Sequence, residues 1–288
     1  IVFKVQLDIA SPSAITFTPS LTSGTALVGT DVSSSLEYYN GSAWVSAASG
    51  VSITGGLTSV LVRAPIIADT LYEGSESFTF TTGTISGTVT SNTAVTAQGS
   101  IKDDGSSSAV FLSSNTAGSS TVGTADNDTP AISVSSPTVT AGGNAVFTVS
   151  LSNASTGNVS FTPSLSSGTA VVGTDTAAAN TLEVSTNGGT SWTTVSGAVT
   201  ITAGSTSLLL RLATVSDADA TNETFSLATG TVTGTVSNST GASGSATVLP
   251  VGATPPVITG PSGGAGAATS GITIDENGTA VTTLHADV

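Results

Sequence analysis

The side chains capable of chemistry in this 288-residue sequence are almost all carboxylates. Eighteen Asp and Glu stand against four bases, Lys4, Arg63, Lys102 and Arg211, for a formal net charge of −14. Cys and Met are absent and His285 is the single histidine, which removes disulfides, thiolate nucleophiles and soft-ligand metal sites. Hard oxygen chemistry remains. Carboxylates gathered in loops repel one another unless a cation lies between them. The imbalance therefore points to a divalent metal, with solubility as the plainer alternative. One such gathering lies in Gly99–Pro130, which holds Asp103, Asp104, Asp126 and Asp128.

The same inventory argues against other functions. Four basic residues give no electrostatic footprint for a phosphate backbone, so nucleic acid is not an expected partner. Catalysis has little to work with: no Cys, one His in a strand-like run, and no Gly-rich phosphate loop between a strand and a helix. Paired carboxylates could cleave glycosides, but that chemistry wants a sugar cleft lined with aromatics, and aromatics are 5% of this chain. No apolar run reaches the roughly 18 residues needed to span a bilayer as a helix, so no membrane insertion of this segment is expected.

The elements that must position these acids are strands. Charged residues are only 8% of the chain, and Gly, Ser, Thr, Ala and Val dominate, which favours short strands over helices. Residues 8–31 match residues 152–175 at 15 of 24 positions, and the match extends outward. VFKVQL at Val2 pairs with VFTVSL at Val146, Trp44 with Trp192, TSVLVR at Thr58 with TSLLLR at Thr206, and SESFTF at Ser75 with NETFSL at Asn222. Two copies of one unit are present. Within each, apolar residues alternate with polar ones, as in Phe147, Val149 and Leu151, which predicts half-buried antiparallel strands. The tryptophans follow NGS in one copy and NGGTS in the other, and are read as packing beside a hairpin turn. The second copy opens with AISVSSPTVTAGG, for which the first has no counterpart, since Ile1 falls within what should be the second strand.

At Ala68–Phe80 (ADTLYEGSESFTF), together with the GTD ending at Asp31 and the IKDD at Ile101, the sequence resembles the Calx-β domain. That family is known from sodium/calcium exchangers and from giant bacterial adhesins. FTPSLTSGTA, LEVSTNGGTSW and GAVTITAGSTSLLLR resemble the tandem repeats of those adhesins, many of which leave the cell by type I secretion. The resemblance covers nearly all of residues 1–250. It implies an all-β chain of tandem antiparallel Ig-like, Calx-β-type sandwiches and a Ca²⁺ site at one end of each. Asp31, Asp69, Glu73, Asp103 and Asp104 are the ligands it implies in the first copy, with Glu76 either in the site or beside it. Asp126 and Asp128 resemble the acidic joint that follows such a domain and are expected to bridge the copies.

The second copy departs from the pattern. It keeps Asp175, Asp217 and Asp219, but has Ala141 where the family carries Glu and SATVLP where an Asp cluster would close the domain. Calcium there is expected to be weak or absent. The tail, TIDENGTAVTTLHADV, is similar to the opening of a cadherin-like repeat, with Glu276 at its interdomain calcium position.

The expected organisation is a Calx-β-like sandwich over 1–105 lacking its first strand, then an acidic, Ser-rich joint over 106–130. A second sandwich over 131–250 follows, then a Pro/Gly/Ala linker over 251–270, then the start of a cadherin-like domain over 271–288. The expected function is an extracellular, calcium-stiffened stalk module at the cell surface, whose partners are neighbouring repeats of one long polypeptide. The alternative is a surface-layer or filament subunit whose copies join by β-strand addition. Carbohydrate or ice binding through flat Thr/Ser-rich faces is a further possibility.

Overall fold

The computed structural model describes residues 1–105, 109–110, 121–122, 127–216 and 221–251. Asp126, Asp217, Asp219, Glu276, His285 and the expected segments beyond 251 lie outside the described residues. The chain is all-β. Among the described residues one 3-10 turn, Ala179–Thr181, is the sole helical element.

The first copy forms β1 (Val2–Gln6), β2 (Ile15–Phe17), β3 (Ser20–Ser23), β4 (Glu37–Tyr39) and β5 (Trp44–Ser46). It continues with β6 (Val51–Ile53), β7 (Ser59–Arg63), β8 (Ser75–Thr81), β9 (Ile85–Ser86) and β10 (Thr96–Lys102). The joint contributes β11 (Ala109–Val110) and β12 (Thr121–Val122), which pair with each other. The second copy forms β13 (Ile132–Val134), β14 (Thr138–Thr140), β15 (Asn144–Leu151), β16 (Val159–Phe161), β17 (Ser164–Ser167) and β18 (Glu183–Ser185). It ends with β19 (Thr193–Thr194), β20 (Val199–Ile201), β21 (Ser207–Ala213), β22 (Glu223–Ala228), β23 (Val232–Thr233) and β24 (Ser243–Leu249).

The sheet orders of the two copies superimpose element for element. The first has β1-β7-β4-β5, β10-β8-β3 and β6-β2-β9. The second has β13-β15-β21-β18-β19, β14-β24-β22-β17 and β20-β16-β23. The additions are β13, antiparallel outside β15, and β14, parallel outside β24. Period-two alternation drives this arrangement: in β15, Ala145, Phe147, Val149 and Leu151 are buried while Asn144 and Val146 are exposed. Each copy closes around its own apolar cluster, Phe3, Phe17, Val62, Phe78 and Phe80 in one and Phe147, Phe161, Leu210, Phe225 and Leu227 in the other. Phe147 meets Phe225 edge to face, as Phe3 meets Phe78.

Both tryptophans lie under an arginine. The Arg63 guanidinium stands 4.6 Å from the Trp44 ring centre and Arg211 stands 4.2 Å from that of Trp192. Each arginine also bonds a glutamate on the neighbouring strand, Glu37 at 2.5 Å and Glu183 at 2.7 Å. The longer NGGTS turn lets Trp192 Nε1 donate to the Gly189 carbonyl at 3.0 Å. Above the shorter NGS turn, Trp44 Nε1 has no acceptor.

These burials set unequal costs. In a Trp44→Phe background, Trp192 fluorescence reports on the second copy alone. Urea unfolding there is expected to place Phe225→Ala about 3–5 kcal/mol below its parent. Arg211→Ala, which removes a half-exposed ion pair and a surface cation–π contact, is expected to cost about 1–2 kcal/mol.

Candidate metal centre

Backbone hydrogen bonds, more than side-chain packing, bring the acids together. Asp31 ends the turn that follows β3: its amide donates to the Leu27 carbonyl at 2.9 Å and its Oδ2 accepts the Leu27 amide at 2.6 Å. That closed turn leaves Asp31 only 6% exposed. The Ile67 amide donates to the Asp31 carbonyl at 3.0 Å, which lays residues 66–69 alongside. Asp69 Oδ1 accepts the Leu71 amide at 2.7 Å, bending the chain back toward Glu73. Gly74, at φ 82°, turns it again into β8, a conformation other residues rarely adopt. The result is one carboxylate oxygen each from Asp31, Asp69 and Glu73, all within 4.8 Å of one another.

Asp103 joins from the other side. Its Oδ2 accepts the Glu73 amide at 3.0 Å, and its own amide donates to Gly74. Glu76, on β8 opposite Ile101 of β10, lines the same cleft, as does Asp128. Ile66, Ile67 and Ile101 supply apolar wall, and Lys102 is the one basic residue in the lining. Of the residues singled out in the sequence, Asp31, Asp69, Glu73, Asp103 and Asp128 thus face one cleft, and Glu76 belongs with them. Asp104 does not line it: it is exposed and bridges to Asn127. Asp175 repeats the turn of Asp31, with Oδ2 accepting the Val171 amide at 2.6 Å, but no acidic cluster forms around it among the described residues.

The cleft sits where the copies meet. The Asp128 amide donates to the Asp103 carbonyl at 2.8 Å, and Asp128 Oδ1 accepts from Asn153 Nδ2 of the second copy at 3.0 Å. Beside it, Tyr72 pairs in parallel with Ser155: its amide donates to Ala154 at 2.9 Å and its carbonyl accepts the Thr156 amide at 3.0 Å. The acidic loop 69–73 is therefore tied by main-chain bonds to the second copy. Sequence patterns gave no sign of these roles for Tyr72 or Asn153, because Tyr72 bonds through its backbone and the partner of Asn153 is a carboxylate of the joint, distant in sequence.

Crowding marks the electrostatics. Burial pushes the Glu76 carboxyl up to about 7, with Glu73, Asp31, Asp103 and Asp69 adding in that order. Burial also raises Glu73, with Asp31, Asp69 and Asp103 contributing and a hydrogen bond to Glu76 opposing. Such a group of carboxylate oxygens, without imidazole or thiolate donors, suits a hard divalent cation, which would offset the excess of negative charge.

No protein-family model matches this sequence, and no curated protein does. Among solved structures, CBD12 from CALX1.2 is similar over 87% of this chain and 93% of its own, with 11% identity and a TM-score of 0.32. The calcium binding domain CBD12 of CALX1.1 is similar over 86% and 92%, at 13% identity and 0.30. The I9-I11 tandem from titin is similar over 86% and 66%, at 9% and 0.20. At these scores no residue role is carried across from them.

The raised carboxyls fix the sign of a pH effect. Glu76 and Glu73 hold protons more tightly folded than unfolded, so the metal-free fold gains stability as pH falls from about 7 toward the ordinary carboxylate range near 4.5. Calorimetry in EDTA is expected to give a rising melting temperature for the first copy from about pH 8 to about pH 5, with a smaller rise in Glu76→Gln.

Proposed function

We propose that this chain is a non-catalytic module of a large bacterial surface adhesin, an extracellular stalk whose joint is stiffened by calcium. The observation that carries the reading is the position of the acidic cleft. Loop carboxylates of the first copy stand beside Asp128 of the joint, and Asp128 holds Asn153 of the second copy. A cation bound by Asp31, Asp69, Glu73, Glu76, Asp103 and Asp128 would pin loop, strand end and joint to one point. The same loop carries Tyr72, already bonded to the second copy. Fixing it restricts the angle between the copies.

Calcium fits better than the alternatives on donor chemistry. Every ligand on offer is a carboxylate or carbonyl oxygen, which disfavours zinc and copper. The oxygens come from turns and strand ends that meet at a joint, matching the six to eight ligands and flexible geometry of Ca²⁺ better than the tight octahedron of Mg²⁺. The adhesin setting rests on the tandem repeat and on the resemblance carried by residues 68–80. Neighbouring repeats of the same polypeptide are the natural partners.

Calcium titration of the intact chain tests this reading. At a hundredfold excess over Kd, calcium is expected to stabilise the fold by about 2.7 kcal/mol. Small-angle scattering is expected to give a longer, narrower distribution of lengths than in EDTA. The double variant Asp69→Asn, Glu73→Gln keeps an oxygen for the Leu71 amide but removes two charges, and should bind calcium at least about tenfold more weakly. If calcium and EDTA give the same melting temperature and the same length, the stalk is not calcium-stiffened.

A further inference from the structure

The loop that follows β1 in the first copy and the loop that follows β15 in the second share a backbone arrangement but differ in what they can offer a neighbour. In the repeat, Asp8-Ile9-Ala10-Ser11-Pro12 aligns with Ser152-Asn153-Ala154-Ser155-Thr156. Both loops close through the serine they have in common. The Ser11 carbonyl accepts the Gly56 amide at 2.8 Å and its hydroxyl accepts the Ser13 amide at 3.2 Å. Likewise the Ser155 carbonyl accepts the Gly204 amide at 2.8 Å and its hydroxyl accepts the Gly157 amide at 3.1 Å.

The second-copy loop is seated against the first copy and its joint by donors. The Thr156 amide donates to the Tyr72 carbonyl at 3.0 Å, the Thr156 hydroxyl donates to the same oxygen at 3.3 Å, and Asn153 Nδ2 donates to Asp128. The first copy has proline at the Thr156 position and isoleucine at the Asn153 position. Proline has no N–H, and the isoleucine side chain has no donor. Set against Tyr72 and Asp128, a loop of that type keeps only the bond from the Tyr72 amide, to the carbonyl that Ala10 supplies in place of Ala154. The Tyr72 carbonyl loses both its donors and Asp128 loses the amide, and acceptors that are covered without a partner oppose the contact.

We propose that Asn153 and Thr156 are specificity determinants of the joint. Tyr72 and Asp128 select, as the module that follows them, a sandwich whose loop carries a side-chain amide at the Asn153 position and a main-chain N–H at the Thr156 position. They refuse a sandwich of the first-copy type. The two copies are therefore not interchangeable, although their sheets and cores correspond. Two loop residues decide which kind of module can stand after the acidic cleft, through the loss of donors in the wrong one. The inference concerns the same joint as the proposed stalk but needs no cation, because none of these bonds passes through one.

The test uses the intact chain in EDTA, so that a failure of calcium stiffening leaves it untouched. The double variant Asn153→Ile, Thr156→Pro gives the second copy the first copy's residues, in a loop that holds them in the first copy. Hydrogen exchange at the Tyr72 amide, which donates to Ala154, reads the joint, and exchange at the Gly204 amide, which donates to Ser155, reads whether the loop stays folded. Tyr72 exchange is expected to be at least about tenfold faster in the double variant, with Gly204 unchanged. Thr156→Ala keeps the N–H and should leave Tyr72 exchange within about twofold of the parent. Asn153→Ile alone is expected to speed it at least about threefold, and it decides the matter if Gly204 loses protection in the double variant. Three results would overturn the proposal: unchanged Tyr72 exchange in a double variant that keeps Gly204 protected, Thr156→Ala as damaging as the double variant, or no effect of Asn153→Ile.

Discussion

Mutual repulsion among carboxylates is the constraint around which the first copy and its joint are organised. Asp31, Asp69 and Glu73 present oxygens within 4.8 Å of one another, and Glu76, Asp103 and Asp128 line the same cleft. They do not drift apart because each position is set by main-chain bonds with a purpose in the fold. Asp31 closes a turn through Leu27, Asp69 caps the bend at Leu71, and Asp103 holds the Glu73 amide. The carboxylates that close these turns are thereby crowded together, and burial, with the neighbouring charges adding to it, raises the carboxyls of Glu73 and Glu76.

The second copy serves as an internal control. Asp175 makes the Asp31-type bond to Val171 and sits in the same kind of turn, while Pro250 stands where Asp103 would. The turn thus needs its aspartate in either case, and what distinguishes the first copy is the set of acids added around it. Nearly identical turns can then carry an acidic cluster in one copy and, among the described residues, none in the other. The Glu-Arg-Trp stacks, by contrast, occur in both copies and belong to the scaffold.

Much of this was legible in the sequence, and the limits have physical reasons. The repeat and the period-two alternation in segments such as VFTVSL predicted the strands, because a half-buried strand must alternate. The structure brings oxygens of Asp31, Asp69 and Glu73 within 4.8 Å of one another. Glu76 was undecided until the register of β8 set it opposite Ile101 at the cleft. Asp103 and Asp104 were indistinguishable as letters, yet adjacent residues of an extended chain face opposite ways, and only Asp103 turns inward. The tie through Tyr72 was out of reach, since a main-chain bond between copies leaves no mark on residue type, and the Asn153 side chain gave no sign of its bond to Asp128, 25 residues away. The stacks did leave one: Glu, Trp and Arg recur in both copies at matching places.

The parallel pairing of β14 with β24 has a mechanical consequence. These strands lie near the two ends of the second copy, and a tension applied along the polypeptide draws β14 back by its leading end and β24 forward by its trailing end. In a parallel pair those pulls oppose each other along the strand axis, so the ladder is loaded in shear and its bonds must fail together. An antiparallel hairpin pulled at its open end would unzip one rung at a time. A module of this design resists being drawn out along its length, whatever holds the far end.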